Sequence, residues 1–402
     1  MKFVLLMTLV PTLALAEPNR EWRQFRGPAG SAVLDHSTLP TNLDLPRHLA
    51  WKAPLPGRGL SSPIVVGDRV FVSSASGVNQ DRLHIRCHSA DSGELIWERQ
   101  FWATGRTNCH DKTSVAGPTP ASDGERLFVS FSSNDVFCLD LDGQLLWLRG
   151  LTSDYPKASN SLGMASSPIV VAETLIYQCE NDSDSFAIGL DVETGKNRWR
   201  IERPSMANYT TPALLRDEAT GEPLVALQSG KGVTTINPAT GEEVWRYEDG
   251  AATIPSSAVS EGTLYIPSHG LTAVRGPSRG TQAEQIWRSG RLRPATASPV
   301  VANHKIFTVN NAGVVTAGSL ENGDRLWQLR IQGPFSGSPV GWGPYLYFIN
   351  EKVLVQVGDT NAEEGAIVSQ VNVEETVLCT PAIAGGAIYF RSDQHLWRLG
   401  QP

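Results

Sequence analysis

A small residue followed by proline, opening a short apolar strand, recurs along this chain at Ser62-Pro63, Thr119-Pro120, Ser167-Pro168, Thr211-Pro212, Ser298-Pro299, Ser338-Pro339 and Thr380-Pro381. The one gap in the series is filled by Ile254-Pro255-Ser256-Ser257. Successive prolines are then 57, 48, 44, 43, 44, 40 and 42 residues apart. A repeat of that length matches one four-stranded blade, and a unit that cannot bury its own faces must stack on copies of itself. The fold is predicted to be all-β, an eight-bladed β-propeller of four-stranded antiparallel blades.

Each unit repeats the same parts: an apolar strand, a Gly/Asp turn such as Gly67-Asp68, an aromatic-rich strand such as Val70-Phe71-Val72, and two further strands. The last turn carries a glycine four residues before a tryptophan at Gly93/Trp97, Gly143/Trp147, Gly195/Trp199, Gly241/Trp245 and Gly323/Trp327. Asx and Gly tolerate positive φ in a hairpin turn, and an even offset holds the indole on one face of the outer strand, where it can fill the wedge between blades. Trp287 follows a longer turn from Gly276 to Gly280, and Ser369 stands where the Gly365 offset calls for Trp, so these two units are degenerate. The final unit, from Thr380 to Leu399, has only three strands. Leu49-Ala50-Trp51-Lys52 reads as an outermost strand without a blade, and pairing the two would close the ring and remove exposed edges.

Composition agrees. Charge is 19% against roughly 25% in ordinary soluble domains, while 37 Gly and 26 Pro in 402 residues point to many turns. A formal net charge of −7 provides no basic field for nucleic acid. Lys2, the apolar run from Phe3 to Ala16 and the Ala14-Leu15-Ala16 cleavage signal read as a secretory signal peptide over residues 1–16, too short to span a bilayer. The mature protein is expected to be exported and soluble, periplasmic or extracellular, with no transmembrane segment or lipid anchor. Residues 17–48, containing Trp22-Arg23-Gln24-Phe25-Arg26-Gly27-Pro28, read as an irregular arm packed on the outside, with a disordered arm as the alternative. Residues 49–402 are expected to form the propeller. Export permits a disulfide among Cys87, Cys109, Cys138, Cys179 and Cys379, and the odd number leaves at least one thiol unpaired.

The repeats D-x-x-T-G-x-x-x-W at 191–199 and N-x-x-T-G-x-x-x-W at 237–245, with their Ser/Thr-Pro strand starts, resemble the pyrroloquinoline-quinone (PQQ)-type β-propeller repeat over roughly residues 49 to 400. The resemblance implies one of two classes: calcium-dependent quinoprotein dehydrogenases, or exported non-enzymatic BamB-like propellers. The enzymes of that family hold the quinone in the central funnel between a Trp and a disulfide of adjacent cysteines. This chain has no adjacent cysteine pair and lacks long insertions between strands. It also has no cysteine at the cleavage point to take a lipid, which sets it apart from the lipoprotein of the outer-membrane assembly machinery.

Other chemistry is poorly provided for. His84 and His88 are about 13 Å apart along a strand, too far for one metal. Cys109-His110-Asp111 is read as a polar loop, and the acidic-amide run from Glu180 to Ser185 as a solvated turn, not a calcium loop. No G-x-S-x-G, H-E-x-x-H or P-loop occurs. No catalytic residue, metal site or cofactor is therefore expected, with PQQ and calcium as the alternative.

Propeller loops gather around one mouth of the channel, which nominates Arg58, Lys112, Asn160, Tyr209, Lys231, His269, Arg293 and Asn310 as ligand-binding residues. Arg58, Lys112, Lys231 and Arg293 would form a cationic mouth suited to a small anionic ligand, a carboxylate-bearing glycan or an acidic peptide. Trp51, Trp97, Trp147, Trp199, Trp245, Trp287 and Trp327 are expected to be structural. The function expected is a binding or scaffolding module, with a quinoprotein oxidoreductase or an outer-membrane protein assembly factor as alternatives.

Overall fold

The computed structural model describes residues 20–28, 30–34, 39–158, 162–277 and 280–400. The signal segment and Asn160 lie outside them. The described chain forms eight sheets, each with four strands from a propeller blade. Blade 1 is typical: Ile64–Val66 innermost, then Arg69–Ser76, Arg82–Ser89 and Leu95–Trp102, paired antiparallel in that order. The innermost strand of blade 8, Ala382–Ala384, lies against that of blade 1. The outermost strand of blade 8 is Leu49–Pro54, paired antiparallel with His395–Gly400.

The tryptophans explain why the repeat is conserved within the chain. Trp199 pairs with Gly189 across its own blade, and its ring lies over Gly241 of the next blade, where a Cβ would come within 2.7 Å. Gly241 also has φ +74°, so glycine is required there twice over. The indole N–H donates to Pro238 O at 2.9 Å. The same donation joins Trp51 to Ala90 O, Trp97 to Leu141 O, Trp147 to Val192 O and Trp287 to Leu320 O, each in the following blade. A bulge directly beside the Trp position turns each outer strand toward its neighbour, for example between Cys87 and His88. At Ser369 the missing ring is replaced by the N-terminal segment: Leu43, buried, donates its N–H to Ser369 Oγ at 2.8 Å and accepts its hydroxyl in return.

The Ser/Thr of the repeat has a separate role. The backbone N–H of Ser62 donates to Thr119 Oγ1, Thr119 to Ser167, Ser167 to Thr211, Thr211 to Ser256, Ser256 to Ser298, Ser298 to Ser338 and Ser338 to Thr380, all at 2.9–3.1 Å. These bonds make a belt around the channel, each linking one blade to the next. They also correct the register of blade 5: Ser256 takes the belt position and Ser257 stands where other blades carry proline, so Pro255 is not equivalent to the other prolines. Ser338→Ala strands the buried N–H of Ser298 and is expected to lower unfolding free energy by about 1–3 kcal/mol, read by denaturant titration.

The arm is not on the outside. Glu21–Trp22 pairs antiparallel with Val65 and Val66 of the innermost strand of blade 1, and Val33–Leu34 pairs parallel with Gly341 and Trp342 of blade 7. All innermost strands run the same way, so the arm rises along blade 1, turns, and descends along blade 7 inside the channel. Gly27 N–H to Gln24 O and Ala32 N–H to Arg26 O close the turn. Trp22 is fully buried, and Arg26 donates to Ser257 O at 2.9 Å and Pro299 O at 2.5 Å on blades 5 and 6. Two free strand edges and a ring of backbone carbonyls make the channel a better host for this segment than the outer surface.

All five cysteines are free thiols, so no disulfide forms. Burial pushes the thiols of Cys87, Cys138 and Cys179 up to about 12 and that of Cys379 up to about 11. Only Cys109 is partly exposed. Iodoacetamide is expected to modify Cys109 alone in the native protein and the other four only after unfolding, as mass spectrometry would show.

Candidate functional site

A strand has period two, so the residue two places before each belt hydroxyl points into the same space. A cavity of about 640 Å³ opens there, lined by both sets. The belt hydroxyls form its lower ring. The upper ring has Leu378, Leu60, Gly117, Ala165, Tyr209 and Ile254 from blades 8 and 1 to 5, and Thr296 and Ser336 from blades 6 and 7. Phe25 of the arm also lines the cavity, between blades that would otherwise leave an open channel. The result is a cup: apolar over most of its wall and polar on the side of blades 6 and 7.

The charge lies at the rim. Lys112, from the loop entering blade 2, reaches Glu351 of blade 7 at 3.1 Å, and Ser336 donates to the same carboxylate at 2.8 Å. His110 and Thr113 of the Lys112 loop line the cavity too, and that loop is tied down by Arg58 donating to Asp111 O.

Of the nominated residues, the structure brings Lys112 and Tyr209 to the cavity and holds Arg58 just behind Lys112. The other described ones lie elsewhere. Lys231 does not line it; His269 pairs with Asp249 at 3.3 Å; Arg293 donates to Gly290 O at 2.6 Å; Asn310 accepts from the N–H groups of Ala312 and Val314 within its own turn, leaving Asn311 to face the cup. The rim is thus a paired cation and anion, not a cationic mouth. The sequence offered a route to most of the missed lining, since counting back two residues from each Ser/Thr-Pro identifies the upper ring. Nothing local marks Glu351 as a partner of Lys112.

The acidic run from Glu180 to Ser185 is a structural turn. Asn181 Oδ1 accepts from Ser183 N–H and its amide donates to Asp184 O, while Asp184 pairs with Arg200 at 2.6 Å. Glu180, fully buried, pairs with Arg203 at 2.6 Å. A hydrogen-bonded chain runs from Ser76 Oγ to His84 Nε2 and from His84 Nδ1 to Glu98 Oε1, each at 2.7 Å. That is the order of an acyl-transfer triad. However, none of the three lines the cup, and Glu98 is shared with Arg86 at 3.5 Å and Gln100 at 3.2 Å. We expect a fluorophosphonate probe to leave Ser76 unmodified; labelling lost on Ser76→Ala would mark a second site.

A calcium-held quinone finds poor support here. Calcium takes six to eight oxygens, several of them carboxylate. The cup offers Glu351, already engaged, and among the described residues no group of three or more His, Cys, Asp or Glu is placed to hold a metal. The wall at Leu60, Ile254 and Leu378 is aliphatic and offers no partner to the carboxylates of such a quinone. These residues do not fit the group.

The PQQ_2 family model, described as outer membrane protein assembly factor BamB, matches residues 47–183 and 81–359, and the chain belongs to this family. The outer membrane protein assembly factor BamB of Burkholderia pseudomallei is 27% identical over 198 residues, 47% of this chain and 42% of that protein. A polyvinylalcohol dehydrogenase of Pseudomonas sp is 25% identical over 253 residues, 58% of this chain and 36% of the enzyme. The chain thus spans less than half the length of either relative in these alignments. Among solved structures, BamB from Moraxella catarrhalis superposes with a TM-score of 0.61 at 16% identity, covering 88% of this chain and 97% of that one. A quinohemoprotein alcohol dehydrogenase from Comamonas testosteroni reaches a TM-score of 0.71 at 12% identity, covering 95% and 80%. At such identity the structural likeness speaks for the fold.

Proposed function

We propose that this is an exported, non-catalytic binding module whose ligand enters the cup at the loop-rich end of the channel. The observation that carries this reading is the cup itself: about 640 Å³, within the usual range for ligand pockets, walled mainly by apolar side chains and lined at its depth by the arm. No helix of the described residues is long and apolar enough to cross a membrane. Ligand-observed NMR with mixed small-acid, oligosaccharide and peptide libraries, run on wild type and on Leu378→Arg, tests the site. Ligands held by wild type and lost from the variant are expected. Ligands held equally by both would remove the cup from the binding reaction.

The family description supports a second reading, service in outer-membrane protein assembly. Affinity capture with the exported chain as bait is expected to recover barrel-assembly components at near-stoichiometric yield if it holds. Their absence would sink it.

A further inference from the structure

Each belt hydroxyl from Thr119 to Thr380 already accepts a backbone N–H. A hydroxyl has one hydrogen to give, and none of these makes a donor bond to a protein acceptor among the described residues. Their O–H groups are therefore left for whatever fills the bottom of the cup. Ser62 completes the ring, and no N–H from blade 8 closes on it.

Beside this ring lies an uncompensated cation. Arg26 does not line the cup itself but is 3% exposed beside it: among the described residues its guanidinium binds only the carbonyls of Ser257 and Pro299, next to the belt residues Ser256 and Ser298, and its Nε has no partner. Among the described residues no carboxylate pairs with it. Burial brings its pKa down to about 10, so it stays protonated at neutral pH. A buried charge with no counter-ion is costly, and a ligand that brings negative charge to the floor would offset that cost. Phe25 lines the depth of the cup, and above it Tyr209 and Phe335 supply aromatic surface and Leu60, Ile254 and Leu378 aliphatic surface.

We infer that the cup selects an amphipathic monocarboxylate, its carboxylate received by the hydroxyl floor over Arg26 and its apolar body held by the wall above. This rests on the cup being the binding site. The arm is then part of the site, since Phe25 lines the cup and Arg26 lies beside its floor.

Isothermal titration with three probes of one shape, 3-phenylpropionate, 3-phenylpropanol and 3-phenylpropylamine, reads the floor directly. The acid is expected to bind at least tenfold more tightly than the alcohol, with the amine weakest. Arg26→Gln keeps hydrogen-bonding capacity toward the carbonyls and should abolish the acid's advantage, while Arg26→Lys should retain most of it. Ser62→Ala removes a floor hydroxyl without breaking a belt link and should weaken the acid about threefold. Melting curves confirm that each variant is folded. Equal or tighter binding of the alcohol or amine overturns the inference and leaves the cup as a binding site. No binding of the acid also overturns it, and the cup reading falls as well only if Leu378→Arg loses no ligand from the library.

Discussion

Trp199→Ala is expected to lower the unfolding free energy by about 3–5 kcal/mol, measured by denaturant titration with circular dichroism. The ring is held between Gly189 of its own blade and Gly241 of the next, and neither glycine has a side chain to collapse into the space left behind. Val225, Leu227 and Ile236 of blade 4 pack in the same cluster as Trp199, so the cavity opens between blades and weakens the ring as a whole. Trp199→Phe keeps much of the contact and loses the bond to Pro238 O, which puts it near 1–2 kcal/mol. Trp102, 63% exposed on the outer strand of blade 1, is the control: its alanine variant should stay within about 0.5 kcal/mol. Equal losses at both positions would refute the assignment of Trp199 as the cement between blades 3 and 4.

Arg203→Ala is the other large effect, about 3–5 kcal/mol, because it leaves the Glu180 carboxylate buried with no counter-charge. Its pH dependence has a definite sign. Desolvation already raises the Glu180 pKa, against the lowering influence of Arg203, and removal of Arg203 raises it further. A carboxyl with a raised folded-state pKa holds its proton longer in the folded than in the unfolded chain, so stability falls as pH rises from the ordinary carboxylate range to the folded value. The variant should therefore recover stability relative to wild type as pH is lowered into that window. A pH-independent deficit would place the loss in packing instead. Replacing the pair together by apolar residues, Glu180→Leu with Arg203→Met, should cost far less than Arg203→Ala alone.

The repeat made most of the fold legible. A period near one blade, turn glycines and a tryptophan at fixed offset are local features, and each survives as a physical contact: Gly143 lies under Trp97 and Gly195 under Trp147, one blade further on. Only the direction of that contact, from one blade's Trp to the next blade's Gly, was hidden, because spacing within a repeat carries no information on which neighbour is touched. Blade 5 misled because Pro255 sits one residue from the belt position, and only the hydrogen bond to Ser256 settles the register. The arm was misplaced because its strands, Glu21–Trp22 and Val33–Leu34, are too short to show periodicity, and its host is a set of edges that exists only once the ring is closed. The site was legible in its hydroxyls and not in its charges. Lys112 and Glu351 meet across the mouth from blades 2 and 7, and no pattern in the chain links them.

The most direct test of the non-catalytic reading is calorimetric titration of the purified exported chain with pyrroloquinoline quinone, with and without calcium, beside a dye-linked alcohol oxidation assay. The cup's single engaged carboxylate and apolar wall lead us to expect no saturable calcium-dependent binding and no dye reduction. Saturable binding that requires calcium, accompanied by dye reduction, would contradict that reading and make the protein a compact quinoprotein enzyme.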